Sequence, residues 1–201
     1  MKNNFLRRYA AALLALFSFA AVGAAQTAET SEYPNVKIMN FGKMDDRYYR
    51  GAQPLESDYQ SLKDLGVKTV IDLRNDPTTY EKGAVEALGM KYVNIPLNGW
   101  RHPTEEHVEE FLKVMNDPET GTVYVHCKAG RHRAGMMGGV YRVANYGWDY
   151  DQAYNEMKKF RYSSWVFHGA MKTYVKEFAK KNEAAKSKKA PTDVQTVASA
   201  N

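Results

Sequence analysis

The chain has 201 residues, one cysteine and a formal net charge of +5. With 44% hydrophobic and 25% charged residues it is too apolar for a disordered chain, and its length fits one globular domain. A lone cysteine excludes an intramolecular disulfide framework and any zinc site built on two or more thiolates.

Lys2, Arg7 and Arg8 precede an uncharged, mostly apolar run from Ala10 to Val22, and Gly23-Ala24-Ala25 then offers small residues to a signal peptidase. The run is shorter than the roughly 18–20 residues that span a bilayer, so residues 1–25 are expected to be a cleaved signal peptide. The mature chain is expected to be exported, periplasmic or secreted, with no stable membrane insertion. Loss of the three basic residues leaves a charge of about +2, too mild to suggest a nucleic-acid partner. Residues 26–35 read as an N-terminal extension and 36–181 as the folded domain. The Lys/Ala-rich stretch 182–201 reads as a disordered tail.

Within the domain, Val36 to Phe41 and Arg47 to Arg50 read as short strands leading to Gly51-Ala52-Gln53-Pro54. Glu56 to Leu65 has helical spacing and stops at Gly66. Val67 to Leu73 is β-branched and reads as a buried strand. A helix over Thr79 to Leu88 ends at Gly89, and Lys91 to Ile95 is a further core strand. Pro96 to Pro103 is a loop. Thr104 caps a helix to Asn116, with Glu105 and Glu106 in its dipole-favoured first turn. The turn Asp117 to Gly121 leads to a strand over Thr122 to His126. Helices follow over Ala134 to Tyr146, from the Asp149/Gln152 capping box to Phe160, and over Val166 to Phe178. Strands alternating with helical crossovers predict an α/β fold: a central, mostly parallel sheet flanked by helices.

The chemistry is concentrated where a buried strand ends at the only cysteine. Cys127 is followed by Lys128, Ala129, Gly130, Arg131 and His132, and then by Arg133 at the entrance to a helix. A tight strand-to-helix loop turns successive N–H groups inward and so builds an anion nest, reinforced by the positive end of the helix dipole. The same field favours a thiolate over a thiol. A planar guanidinium at Arg133 can grip two phosphate oxygens and hold phosphorus in line with the Cys127 sulfur. The pattern therefore predicts nucleophilic phosphoryl transfer, with Cys127 and Arg133 catalytic and residues 128–132 binding phosphate.

His126-Cys127-x5-Arg133 resembles the signature loop of the cysteine-dependent protein tyrosine and dual-specificity phosphatase superfamily. Tyr49-Arg50-Gly51-Ala52-Gln53-Pro54, the stretch Leu65 to Arg74, and Tyr141-Arg142 to Glu156-Met157 resemble its compact atypical dual-specificity branch, over about residues 36–178. The resemblance implies a phosphatase without cofactor, acting through a phosphocysteine on phosphoproteins or polyphosphorylated small molecules such as inositol (pyro)phosphates. No metal is expected, since the histidines lack ligand spacing. Two positions depart from the family. Ala134 replaces the usual Ser or Thr after the arginine, and the 96–103 loop offers Asn98, Gly99 and His102 but no Asp as general acid. His102 is the candidate acid by its ordinary titration range, with Glu105 and Glu106 as alternatives. These departures leave open a weak phosphate-binding or substrate-trapping module, and also a sulfurtransferase-like cysteine enzyme. Asp72, Arg74 and Arg50 read as structural ion-pairing residues at the sheet edge, and Trp100 either as a wall of the pocket or as a packing residue.

Overall fold

The β-branched run Val67–Arg74 forms the long strand β3, and it pairs in parallel with β4 (Lys91–Leu97) and β5 (Thr122–Cys127). β5 in turn pairs in parallel with β2 (Tyr48–Ala52), and β1 (Gly42–Asp45) closes that edge antiparallel to β2. The strand order is β1-β2-β5-β3-β4, so the strand carrying the cysteine lies in the middle. The computed structural model describes residues 32–164 and 169–189. The chain divides into two units, Met1–Glu32 and Tyr33–Asn201. The signal peptide expected at 1–25, most of the extension that follows it, and residues 165–168 and 190–201 lie outside the described residues. No helix among the described residues is long and apolar enough to cross a membrane.

Helices cover both faces. α1 (Tyr59–Asp64), entered through a 3-10 turn at Glu56–Asp58, and α2 (Glu81–Ala87) pack on one face around Leu62, Val70, Val85 and Tyr124. The other face takes α3 (Glu105–Asn116), α4 (Arg133–Tyr146), α5 (Tyr150–Lys159) and α6 (Gly169–Lys189) over Ile71, Leu73, Val123 and Val125. The period of two along β5 assigns its side chains: Val123, Val125 and Cys127 belong to the larger core, while Tyr124 faces the smaller one. α4 is buried from Arg133 to Val143, its two arginines included, and Gly147 ends it in the left-handed conformation. The Thr104 cap and the Asp149/Gln152 capping box form as the sequence predicts.

Two expectations change. Val36 to Phe41 is not a strand; the first strand starts at Gly42. Asn40 takes a positive φ of 57° and turns the chain, while Phe41 stacks on Tyr49 and Tyr124 instead of entering a ladder. The tail expected from 182 is helical to Lys189. Ala179 is buried and Asn182 Nδ2 donates to Val143 O at 3.0 Å, so α6 stays docked on α4 after its apolar period fades.

Candidate active site

β5 ends at Cys127 between the ends of β2 and β3, at the carboxyl edge where parallel sheets place their sites. Lys128 to His132 then turn the chain into α4, whose first residue is Arg133. The turn is built around Gly130. Its φ is 64°, and a Cβ there would stand 2.3 Å from the carbonyl carbon of Gly51. Only glycine meets both demands. On the outside of the loop the carbonyls are tied down. Asn40 Nδ2 and Arg50 Nη2 donate to Gly130 O at 2.8 and 2.7 Å, and Gln53 N donates to Lys128 O at 3.3 Å. Carbonyls committed on that side leave the loop amides to face the cleft.

The cleft has a volume of about 570 Å³. Cys127 lies in its lining and is 4% exposed, with Lys128, Ala129, His132 and Arg133 around it. Gly130 and Arg131 are not part of the lining; they face the scaffold behind the loop. The ends of β3 and β4 supply the opposite wall: Asn75 and Asp76 from one, Asn98, Gly99 and Trp100 from the other. Trp100 is 60% exposed and lines the mouth, the first of the two roles the sequence leaves open.

Arg133 is held from one side. Its Nη1 donates to Leu73 O, Asn75 Oδ1 and Leu97 O at 3.3, 3.1 and 3.2 Å, and stands 4.0 Å from Asp76 Oδ1. No described residue takes the Nε and Nη2 donors, so the rest of the fork is available for a planar, bidentate anion.

Among the acids considered from sequence, none is poised to give a proton. His102 packs edge-on against Tyr174 of α6, with centroids 5.6 Å apart, and is not in the cleft lining. Glu105 lies 3.8 Å from Lys181. Glu106 is held below the usual carboxylate range by its hydrogen bond to Thr104. The carboxyl that does reach the cleft is Asp76. Two hydrogen bonds from Arg74, at 3.3 and 3.1 Å, hold it low and therefore ionised.

Beneath the loop lies a buried polar network. His126 Nε2 stands 2.7 Å from Glu81 Oε1, and His126 Nδ1 stands 3.8 Å from Asp72 Oδ1; all three side chains are fully buried. Gln53 Nε2 donates to Glu81 Oε2 at 2.9 Å, and Arg74 Nη1 donates to Gln53 Oε1 at 3.0 Å. Burial alone would raise Glu81, but the contact with His126 and the hydrogen bonds from Gln53 and Tyr59 outweigh it and hold Glu81 low. Asp72 is raised by burial, which His126 only partly offsets.

The ion pairing expected at the sheet edge is redistributed. Arg74 pairs with Asp76 at 3.1 Å. Asp72 lies deeper in the sheet and accepts from Arg74 N at 2.8 Å and Tyr92 OH at 3.1 Å. Arg50 is in none of the ion pairs among the described residues and is spent on loop carbonyls. Sequence reasoning missed Asn75, Asp76, Glu81 and Asn40. The first two were within reach, since they directly follow the β3 end that the sheet-edge rule singles out. Glu81 and Asn40 gave no signal: one looks like any acid in the first turn of a helix, the other like any turn residue.

Known proteins with similar sequences and folds are phosphatases. The probable tyrosine-protein phosphatase DG1060 of Dictyostelium discoideum is 29% identical over 131 residues, covering 63% of this chain and 78% of the relative. The inositol diphosphatase DSP3 of Arabidopsis thaliana is 30% identical over 108 residues, covering 51% of this chain and 53% of the relative. Pseudomonas aeruginosa TpbA, solved in complex with pTyr, shares the fold with a TM-score of 0.63 at 22% identity, covering 74% of this chain and 91% of that one. The family model described as DSP-PTPase phosphatase fused to NAD+ kinase matches residues 18–187, and the chain belongs to that family of tyrosine/dual-specificity-type phosphatases.

Proposed function

We propose that the chain is an exported phosphatase that works through a phosphocysteine on Cys127. The Cys127 thiolate attacks phosphorus; the S–P bond forms as the P–O bond to the leaving group breaks. Water then attacks the phosphocysteine, the S–P bond breaks, and orthophosphate and free Cys127 result. The Nε and Nη2 donors of Arg133 hold two equatorial oxygens through both steps, and the amides of the 128–133 loop neutralise the rest of the charge. The observation that carries the reading is Cys127 in the lining of the cleft, beside a guanidinium fixed from one side only.

The leaving group follows from the acids. With Asp76 ionised and His102 turned to Tyr174, none of the acids weighed above stands ready, among the described residues, to protonate a poor alkoxide. Aryl phosphates and phosphoanhydrides leave without one. Phosphotyrosine and pyrophosphorylated inositols are therefore the substrate classes, in keeping with what the relatives above are named for. The basic leader Lys2, Arg7, Arg8 and the apolar run to Val22 support export.

Hydrolysis of 4-nitrophenyl phosphate tests the reading. Cys127→Ser is expected to lower turnover at least ~1,000-fold, the scale on which removal of a nucleophile acts. Pyrophosphorylated inositols are expected to outcompete phosphoserine peptides. Full turnover by Cys127→Ser, or a preference for phosphoserine, overturns it. Export is checked by fractionating cells that express the full chain: a cytoplasmic product of unshortened mass removes that part of the proposal.

A further inference from the structure

Arg50 is the largest fully buried side chain among the described residues. Arginine keeps its proton at any ordinary pH, so the fold buries a whole positive charge there. Such a charge is normally paired, because desolvation is costly and only a nearby counter-charge offsets it. Arg142 obeys the rule: it is 2.7 Å from Glu156. Arg50 does not. Its Nη2 donates to Gly130 O at 2.7 Å and reaches Arg131 O at 3.4 Å, its guanidinium lies 4.3 Å over the Phe160 ring, and its Nε makes no hydrogen bond.

Two carbonyl dipoles and a ring face soften an isolated charge without cancelling it. A Cβ on Gly135 or Gly138, in the first turns of α4, would stand 3.6 and 3.4 Å from the terminal nitrogens of Arg50. Burial pulls Arg50 below the ordinary arginine value; Tyr48, Cys127, Glu156 and Tyr124 act the other way, but none forms an ion pair with it among the described residues. The cation thus sits behind the phosphate loop, fastened to the outward carbonyls of Gly130 and Arg131. The loop stands between it and the cleft.

We propose that Arg50 is a positioning residue for the phosphoryl group: it aligns the loop through the Gly130 and Arg131 carbonyls, and its unpaired charge is completed by the oxyanion bound on the other side. The inference rests on the reading of Cys127 and Arg133 as the phosphoryl-transfer site. It differs from a purely structural role in one respect: charge, and not only shape, must be kept at this position.

The test compares Arg50→Met and Arg50→Lys in the full chain, with orthovanadate and inorganic phosphate as competitive inhibitors of 4-nitrophenyl phosphate hydrolysis. Arg50→Met is expected to weaken vanadate by about 10- to 100-fold, approaching what removal of one oxyanion donor costs, while its circular dichroism stays native. Arg50→Lys retains the charge and loses the fork, and is expected to hold vanadate within about threefold of the parent. A folded Arg50→Met with parental vanadate affinity overturns the inference, as does Arg50→Lys losing as much as Arg50→Met. Where Arg50→Met does not fold, Arg50→Lys decides alone: a loss of tenfold or more is against it. Failure of the underlying reading looks different, since the parent chain itself would then neither bind vanadate nor turn over.

Discussion

Arg50 and Arg142 are both buried, both touch aromatic rings, and both donate to backbone carbonyls, yet they are balanced in opposite ways. Arg142 joins α4 to α5 and to the edge strand. It makes three hydrogen bonds to the Glu156 carboxylate, a short one to Met44 O, and lies 4.7 and 4.6 Å over the rings of Tyr146 and Trp148. Its charge is closed within the protein. The charge of Arg50 is left open toward the phosphate loop. By the proposal above, the closed cation is a structural joint and the open one is half of a binding site, although burial and residue type are the same.

That contrast can be broken at several points. The largest effect is expected at Arg133, the guanidinium proposed to grip the phosphoryl group. Arg133→Met should lower turnover on 4-nitrophenyl phosphate by about 1,000-fold or more, as loss of a transition-state arginine does, with the melting temperature little changed. Equal losses of activity and stability would show that Arg133 is a joint of the Arg142 kind. Arg142→Met should do the reverse. Opening a buried pair costs about 3–5 kcal/mol, read from chemical denaturation, and leaves vanadate affinity in the surviving folded fraction where it was. Gly130→Ala probes the geometry between them: its Cβ would run into the Gly51 carbonyl at a positive φ, so phosphate affinity should fall about tenfold or more with a smaller loss of stability. The smallest effect is expected at Asp76, an exposed carboxylate 4.0 Å from Arg133. Asp76→Asn should tighten vanadate by about threefold, the scale of one partly screened charge, and weaker binding would mean that the carboxylate serves the ligand instead of competing with it.

Much of this was legible in the sequence, for reasons that differ by residue. The strand at Val67, the caps at Thr104 and Asp149 and the stop at Gly147 are local features, and local chemistry decides them. The placement of Cys127 and Arg133 at the two ends of one strand–loop–helix turn was legible because the spacing fixes both ends at once. Arg50 was visible within Tyr49-Arg50-Gly51 but not its task, because strand pairing alone brings β2 beside β5 and places Gly51 opposite His126. Asn40 lies 90 residues from the carbonyl it secures, and no period or motif reports such a contact. The same holds for Glu81, whose surface-like position in α2 hides a buried partner in His126. The start of β1 and the length of α6 were misjudged where tertiary docking overrode local preference: aromatic packing at Phe41 in one case, the hold of Asn182 on α4 in the other.

The loop is fastened by its backbone. Asn40, Arg50 and Gln53 all grasp main-chain oxygens of residues 128–131, and none of these bonds depends on which side chain the loop carries at Lys128 or Ala129. Recognition and scaffold are therefore separable here. Exchange of those two side chains can retune which phosphorylated molecule is admitted while the chassis beneath stays intact, and a family built on this chassis can diversify its diet without reinventing its engine.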